Sequence, residues 1–109
     1  MDVFGVEELQ ERLAPGAVDY LEFLRVPAMS AGIYRLPVGS ADPQTPHRED
    51  EVYVVMEGRA TLTVAGDDRP VARGSVAFVA AGVAHRFQEV TEDLVAVVLF
   101  APAESGPDT

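Results

Sequence analysis

The chain has no cysteine, which rules out disulfides, thiolate nucleophiles and cysteine metal ligands together. Lysine is absent as well: all eight basic residues are arginine, so Schiff-base chemistry and a P-loop lysine are excluded. No apolar run approaches the roughly 18 residues that a membrane-spanning helix requires. The stretch Met1 to Glu8 is acidic and lacks the basic start and apolar centre of a secretory signal, which predicts a soluble, cytoplasmic protein. Positive charge is scarce: the formal net charge is −10. Such a surface repels both the phosphates of nucleic acid and anionic lipid, so neither is an expected partner.

The 109 residues suit one domain, and 48% of them are hydrophobic, enough for a real core. Val6 to Leu13 places apolar residues at helical spacing, and Pro15-Gly16 stops it, which predicts a short N-terminal helix and turn over 1–16. Beyond that the period becomes two. Strands are expected at Val18 to Val26, Met29 to Leu36, Glu51 to Met56, Ala60 to Ala65, Val76 to Val79, Ala84 to Val90 and Leu94 to Ala101, with Gly66-Asp67-Asp68 as a turn and Pro70 to Ala72 leading into Gly74. Glu57-Gly58 is read as closing one strand, and Thr91-Glu92-Asp93 as joining two others. Val38 to Pro46, with a glycine and two prolines, is a loop. Seven or eight short strands with no helix between them predict an all-β antiparallel barrel or sandwich over 17–101. The polar segment 102–109 is expected to be a flexible tail. A small barrel of this kind exposes edge strands, so a homodimer through Val18 to Val26 is expected.

Only two histidines occur, His47 and His85, 38 residues apart. A carboxylate four residues along an extended chain points to the same side, so Glu51 can converge with His47. His85 must then come from a neighbouring strand. Two imidazoles and a carboxylate with open positions suit iron(II) and related ions.

Glycines frame both histidines. Gly39, five residues, Thr45, Pro46, His47, three residues, Glu51, six residues and Gly58 form one set. Gly74, five residues, Ala80, Ala81, Gly82, two residues, His85, three residues and Glu89 form the other. The two sets resemble, spacing for spacing, the paired motifs of the cupin superfamily. The departures are Thr45 for the first histidine, Ala80 for a proline and Glu89 for an asparagine. The resemblance implies a jelly-roll β-barrel of the small, single-domain, RmlC-like kind. It also implies one divalent transition metal (Fe, Mn, Ni or Zn) held by His47, Glu51 and His85.

That leaves the fourth ligand position to Thr45, whose neutral hydroxyl suits a hydrogen bond to a metal-bound water better than a metal. Glu49 shares side-chain parity with His47 and Glu51, and Glu89 shares it with His85. Either carboxylate can stand in for the missing ligand or act as general base; otherwise both face solvent. Tyr53 and Phe87 have the parity of Glu51 and His85 and are expected to line the cavity, with Tyr34 joining from an earlier strand. Tyr53 and Glu89 are the candidate catalytic groups. The resemblance allows an enzyme of dioxygenase, isomerase, lyase or cyclase type acting on a small organic molecule. The alternative is a module that binds or senses a small molecule without turnover.

Overall fold

The computed structural model describes residues 1–105. A short helix, α1 (Val6–Glu11), precedes six antiparallel strands: β1 (Asp19–Val26), β2 (Met29–Leu36), β3 (Asp50–Val64), β4 (Asp67–Ala72), β5 (Val76–Val79) and β6 (His85–Ala101). The sheet runs β1-β2-β6-β3-β4, with β5 also paired to β3. It encloses one main core built from Leu36, Val55, Leu62, Leu94, Val98 and their neighbours. Leu9 and Leu13 carry α1 onto a second, smaller cluster with Ile33 and Val95, outside the sheet. The all-β antiparallel class and the short N-terminal helix are as expected.

The strand count differs, for one physical reason that acts twice. Glu57-Gly58 does not end a strand, and Thr91-Glu92-Asp93 does not join two. Both segments run on within 15- and 17-residue strands that pair with each other from Asp50↔Ala101 to Val64↔His85. Bulges between Val55 and Thr61 absorb the irregularity. Gly58 adopts φ 93°, and a Cβ there would meet the Asp93 carbonyl oxygen at 2.2 Å. Glycine is therefore needed to continue the strand, where the composition suggested a turn.

A bulge changes which face a side chain takes. In β3 the buried residues are 51, 53 and 55 before Gly58, then 60 and 62 after it. In β6 they are 85 and 87, then 90, 94, 96, 98 and 100, with Val95 buried on the other face in the smaller cluster. The switch in β6 falls at Glu89, whose φ is 51°.

The expected flexible tail is corrected over residues 102–105. The Ala103 amide donates to the Pro27 carbonyl (3.4 Å) and the Glu104 amide to Ser30 Oγ (2.9 Å). The Ser105 amide and hydroxyl both donate to Glu49 Oε2, at 3.2 and 2.8 Å. These bonds strap the chain across the mouth of the sheet. The rest of that expected tail, 106–109, lies outside the described residues.

Candidate metal centre

Three elements build the site. Glu51 is the second residue of β3, and its register partners are Val79 of β5 and Phe100 of β6. His85 opens β6 opposite Val64. His47 lies in the loop before β3, three residues short of the strand, and not at a strand start. Its carbonyl accepts a 2.7 Å bond from the Gly82 amide, which ties that loop to the turn carrying His85. As a result one ligand atom from each of His47, Glu51 and His85 falls within 4.8 Å of the other two.

The buried pair is unusual in its hydrogen bonding. The side chains of His85 and Glu51 are each 1% exposed, and His85 Nε2 lies 2.9 Å from Glu51 Oε1. Close as they are, the two atoms do not meet in hydrogen-bond geometry: His85 Nε2 and both Glu51 oxygens have no hydrogen-bond partner among the described residues. At the other side of the ring, Nδ1 lies 2.9 Å from the Val83 carbonyl oxygen. A carbonyl only accepts, so Nδ1 carries the proton and the neutral ring turns its Nε2 lone pair toward the carboxylate. Two lone-pair-bearing atoms facing each other in a buried pocket need a cation between or beside them. The donor set and these orphaned atoms fit a divalent transition metal.

Without a metal the cation is a proton. Burial is the largest single influence on His85 and pushes its pKa down. Glu51, the Val83 carbonyl and Asp42 together outweigh it and hold the pKa above 6.5.

The remaining predicted residues fall as follows. Tyr53 is fully buried, and its hydroxyl donates to Gln44 Oε1 at 2.7 Å. Burial and then the Glu51 carboxylate push its pKa well up, so it keeps its proton. Phe87 packs against the Tyr53 ring with centroids 4.8 Å apart, as core and not as cavity wall. Tyr34 does line the cavity, and its hydroxyl donates to Asp42 Oδ1 at 2.6 Å. Burial, then Asp42, raise its pKa. Thr45 is exposed, which corrects its expected place at the cavity wall. Its neighbour Gln44 turns in instead, with Oε1 3.4 Å from His47 Nε2. Glu49 is buried and committed to Ser105, which corrects both the solvent-facing reading and the cavity-lining one. Glu89 is exposed and takes a 3.3 Å bond from Thr61 Oγ1. The positive φ at Glu89 breaks the parity argument that aimed it inward, so Glu89 does not face the site.

Three functional residues escaped the sequence reading. Asp42 accepts from Tyr34, from the Gln44 amide and side chain, and from the Phe87 amide, binding the loop to β2 and β6. The local signal for it was Asp42-Pro43, because aspartate commonly caps the amide two residues on. Gln44 follows from the same turn. Glu104 places Oε2 3.0 Å from His47 Nδ1, from a segment no motif covers. Desolvation raises the Glu104 pKa; His47 opposes this, and Glu49, Glu51 and Glu22 add to it.

Beside His47 opens a cavity of ≈ 230 Å³, walled by Tyr20, Tyr34, Pro43, Val98 and Phe100, with Gln44 and Glu104 as polar edges. Among the described residues, His47 is the one basic side chain that lines it. The Tyr20 hydroxyl is buried there without a partner.

Comparison with known proteins agrees with this architecture. An uncharacterized protein of Streptomyces coelicolor is 49% identical over 105 residues, covering 96% of this chain and 100% of that one. The crystal structure of a Thermus thermophilus protein superposes with a TM-score of 0.81 at 26% identity, over 94% of this chain and 99% of that chain. A predicted oxalate decarboxylase of Thermotoga maritima shares the fold, with a TM-score of 0.68 at 23% identity over 78% of this chain and 80% of its own. Residues 32–102 match the cupin domain, and that match takes in β3, β6 and all three convergent side chains. The chain is a member of the cupin family.

Proposed function

We propose that the protein is a metal-dependent cupin enzyme acting on a small organic molecule, with one divalent transition metal held by His47, Glu51 and His85. One observation carries this reading: three ligand atoms lie within 4.8 Å of one another, and those of Glu51 and His85 are buried with no hydrogen-bond partner. Three protein ligands leave room for a substrate atom. When bound, the ion supplies Lewis-acid chemistry or, if iron, redox chemistry.

The chain's own residues do the rest. The apolar wall of Tyr34, Pro43, Val98 and Phe100 flanks the face of His47 and offers a surface for the apolar part of a ligand. Tyr53 keeps its proton and orients Gln44, whose amide reaches the cavity. The volume lies below the usual range for drug-sized ligands, and the wall offers no arginine to an anion. A small neutral or amine-bearing molecule suits it better than oxalate or a sugar phosphate. The exposed edge of β1 is the surface we assign to self-association, as a dimer.

Elemental analysis of protein purified without chelator tests the reading, beside a His47→Ala/His85→Ala variant. The wild type is expected to carry metal and the variant none. Equal, negligible metal in both, persisting after anaerobic iron(II) or nickel(II), would sink it. Oxygen uptake by the loaded protein over a panel of small phenols and amines then separates turnover from binding alone. Light scattering on the same samples gives the mass, and a clean monomer removes the dimer.

A further inference from the structure

We propose that Glu104 is a positioning residue of the metal centre, holding the Nδ1–H of His47 so that Nε2 is presented toward Glu51 and His85. The proposal rests on the reading of those three residues as ligands.

His47 is the ligand with the least support from the sheet, because it sits in the loop before β3. Its ring rests edge-on against Phe100, with centroids 4.8 Å apart, which fixes a plane but does not choose a tautomer. Gln44 Oε1, 3.4 Å from Nε2, is an acceptor that draws the hydrogen the other way, but the Glu104 carboxylate is closer to its nitrogen, at 3.0 Å from Nδ1, and is the stronger, charged acceptor, so it makes the choice. A carboxylate only accepts, so Nδ1 must carry the hydrogen, and the Nε2 lone pair is left for a metal. His85 reaches the same state by another route, with the Val83 carbonyl as its acceptor. Both histidines are thus set alike, one by backbone and one by a side chain.

The structure commits several groups to keeping Glu104 there. Its amide is held by Ser30, and its carbonyl accepts from the Arg25 guanidinium. The next residue, Ser105, is held twice by Glu49. Ser30 and Glu49 are 0% and 5% exposed, so two buried polar side chains spend their bonds on this strap. Burying a carboxylate such as Glu49 is costly unless it is paired. Glu104 lies just beyond residues 32–102, the segment that matches the cupin domain.

Because only two imidazoles exist, both can be read in one ¹⁵N spectrum of the metal-free protein at a pH where they are neutral. In Glu104→Ala, His47 is expected to move toward the opposite tautomer or a mixture, while His85 stays fixed and certifies the fold. Cobalt(II) affinity, measured against a competing chelator, is expected to fall about 10- to 100-fold, the usual effect of losing a histidine's outer partner. Glu104→Gln keeps an acceptor oxygen; it should restore the tautomer and part of the affinity. An unchanged His47 tautomer together with unchanged cobalt affinity in Glu104→Ala overturns the proposal. If that variant does not fold, Glu104→Leu, which keeps side-chain bulk and removes the acceptor, decides by the same two readouts. Wild-type protein that binds no cobalt overturns the metal centre itself. The tautomer shift is read without metal, so the two failures remain distinct.

Discussion

His85 and Glu51 meet under conditions that punish an uncompensated charge, and a proton and the proposed metal would compete for the same lone pairs. The metal-free protein should show this as a pH dependence of stability. The His85 pKa is raised in the folded state, so its stabilisation is complete below 6.5 and is lost as pH rises through the folded value. The melting temperature of wild type minus that of His85→Gln, followed from acid to mildly alkaline pH, is expected to shrink along that course. A difference that grows with pH contradicts the assignment. At this scale the convergence of His47, Glu51 and His85 was legible because histidine is rare here and spacing along a β-strand is regular. Glu89 was misplaced because parity counts assume an unbroken pleat, and Thr45 because a motif position placed it without regard to the loop it sits in. Thr45 sits in a loop whose conformation Asp42 sets, and Glu89 sits on a residue with φ 51°.

Strands β3 and β6 are each about three times as long as an ordinary strand, and each changes its buried face midway. The boundaries predicted at Glu57-Gly58 and Thr91–Asp93 mark where the faces switch, so the composition located the irregularity and misread its kind. Strands β1, β2 and β5 lie within a residue of their expected places, since alternation and turn residues agree there, whereas β4 begins at Asp67, inside the segment read as a turn. Gly58 makes the distinction measurable. Gly58→Ala adds a Cβ 2.2 Å from a backbone oxygen at φ 93°, and should cost on the order of 3 kcal/mol or more. Gly66, in the β3–β4 turn, has φ 81° but nothing within 4 Å of the added atom, so Gly66→Ala should cost only about 1 kcal/mol. Urea denaturation of the two variants checks the order, and equal costs would remove the special role of Gly58. Any loss at Gly58 should carry over to the metal centre, because both site strands pass through that bulge.

Across the whole molecule, the β3–β6 pairing joins residues far apart in sequence. Asp50 faces Ala101 at one end of the ladder and Val64 faces His85 at the other. Glu51 belongs near the first end and His85 to the second, so the sheet must wrap before the two meet. Folds dominated by such distant pairings cross their barrier slowly, typically in milliseconds to seconds. The three ligands are therefore expected to stay apart through the folding barrier and to join on its native side. A metal that needs all three can then act as a late clamp and not as a nucleus. Cobalt(II) should leave the refolding rate of the chain nearly unchanged and slow its unfolding, which stopped-flow denaturant jumps can resolve into separate limbs. Faster refolding with metal would mean that part of the trio forms early. On this account, the long antiparallel ladder that brings distant residues together makes the ion a keeper of the finished fold: its presence is felt in how long the native protein lasts, not in how fast it arrives.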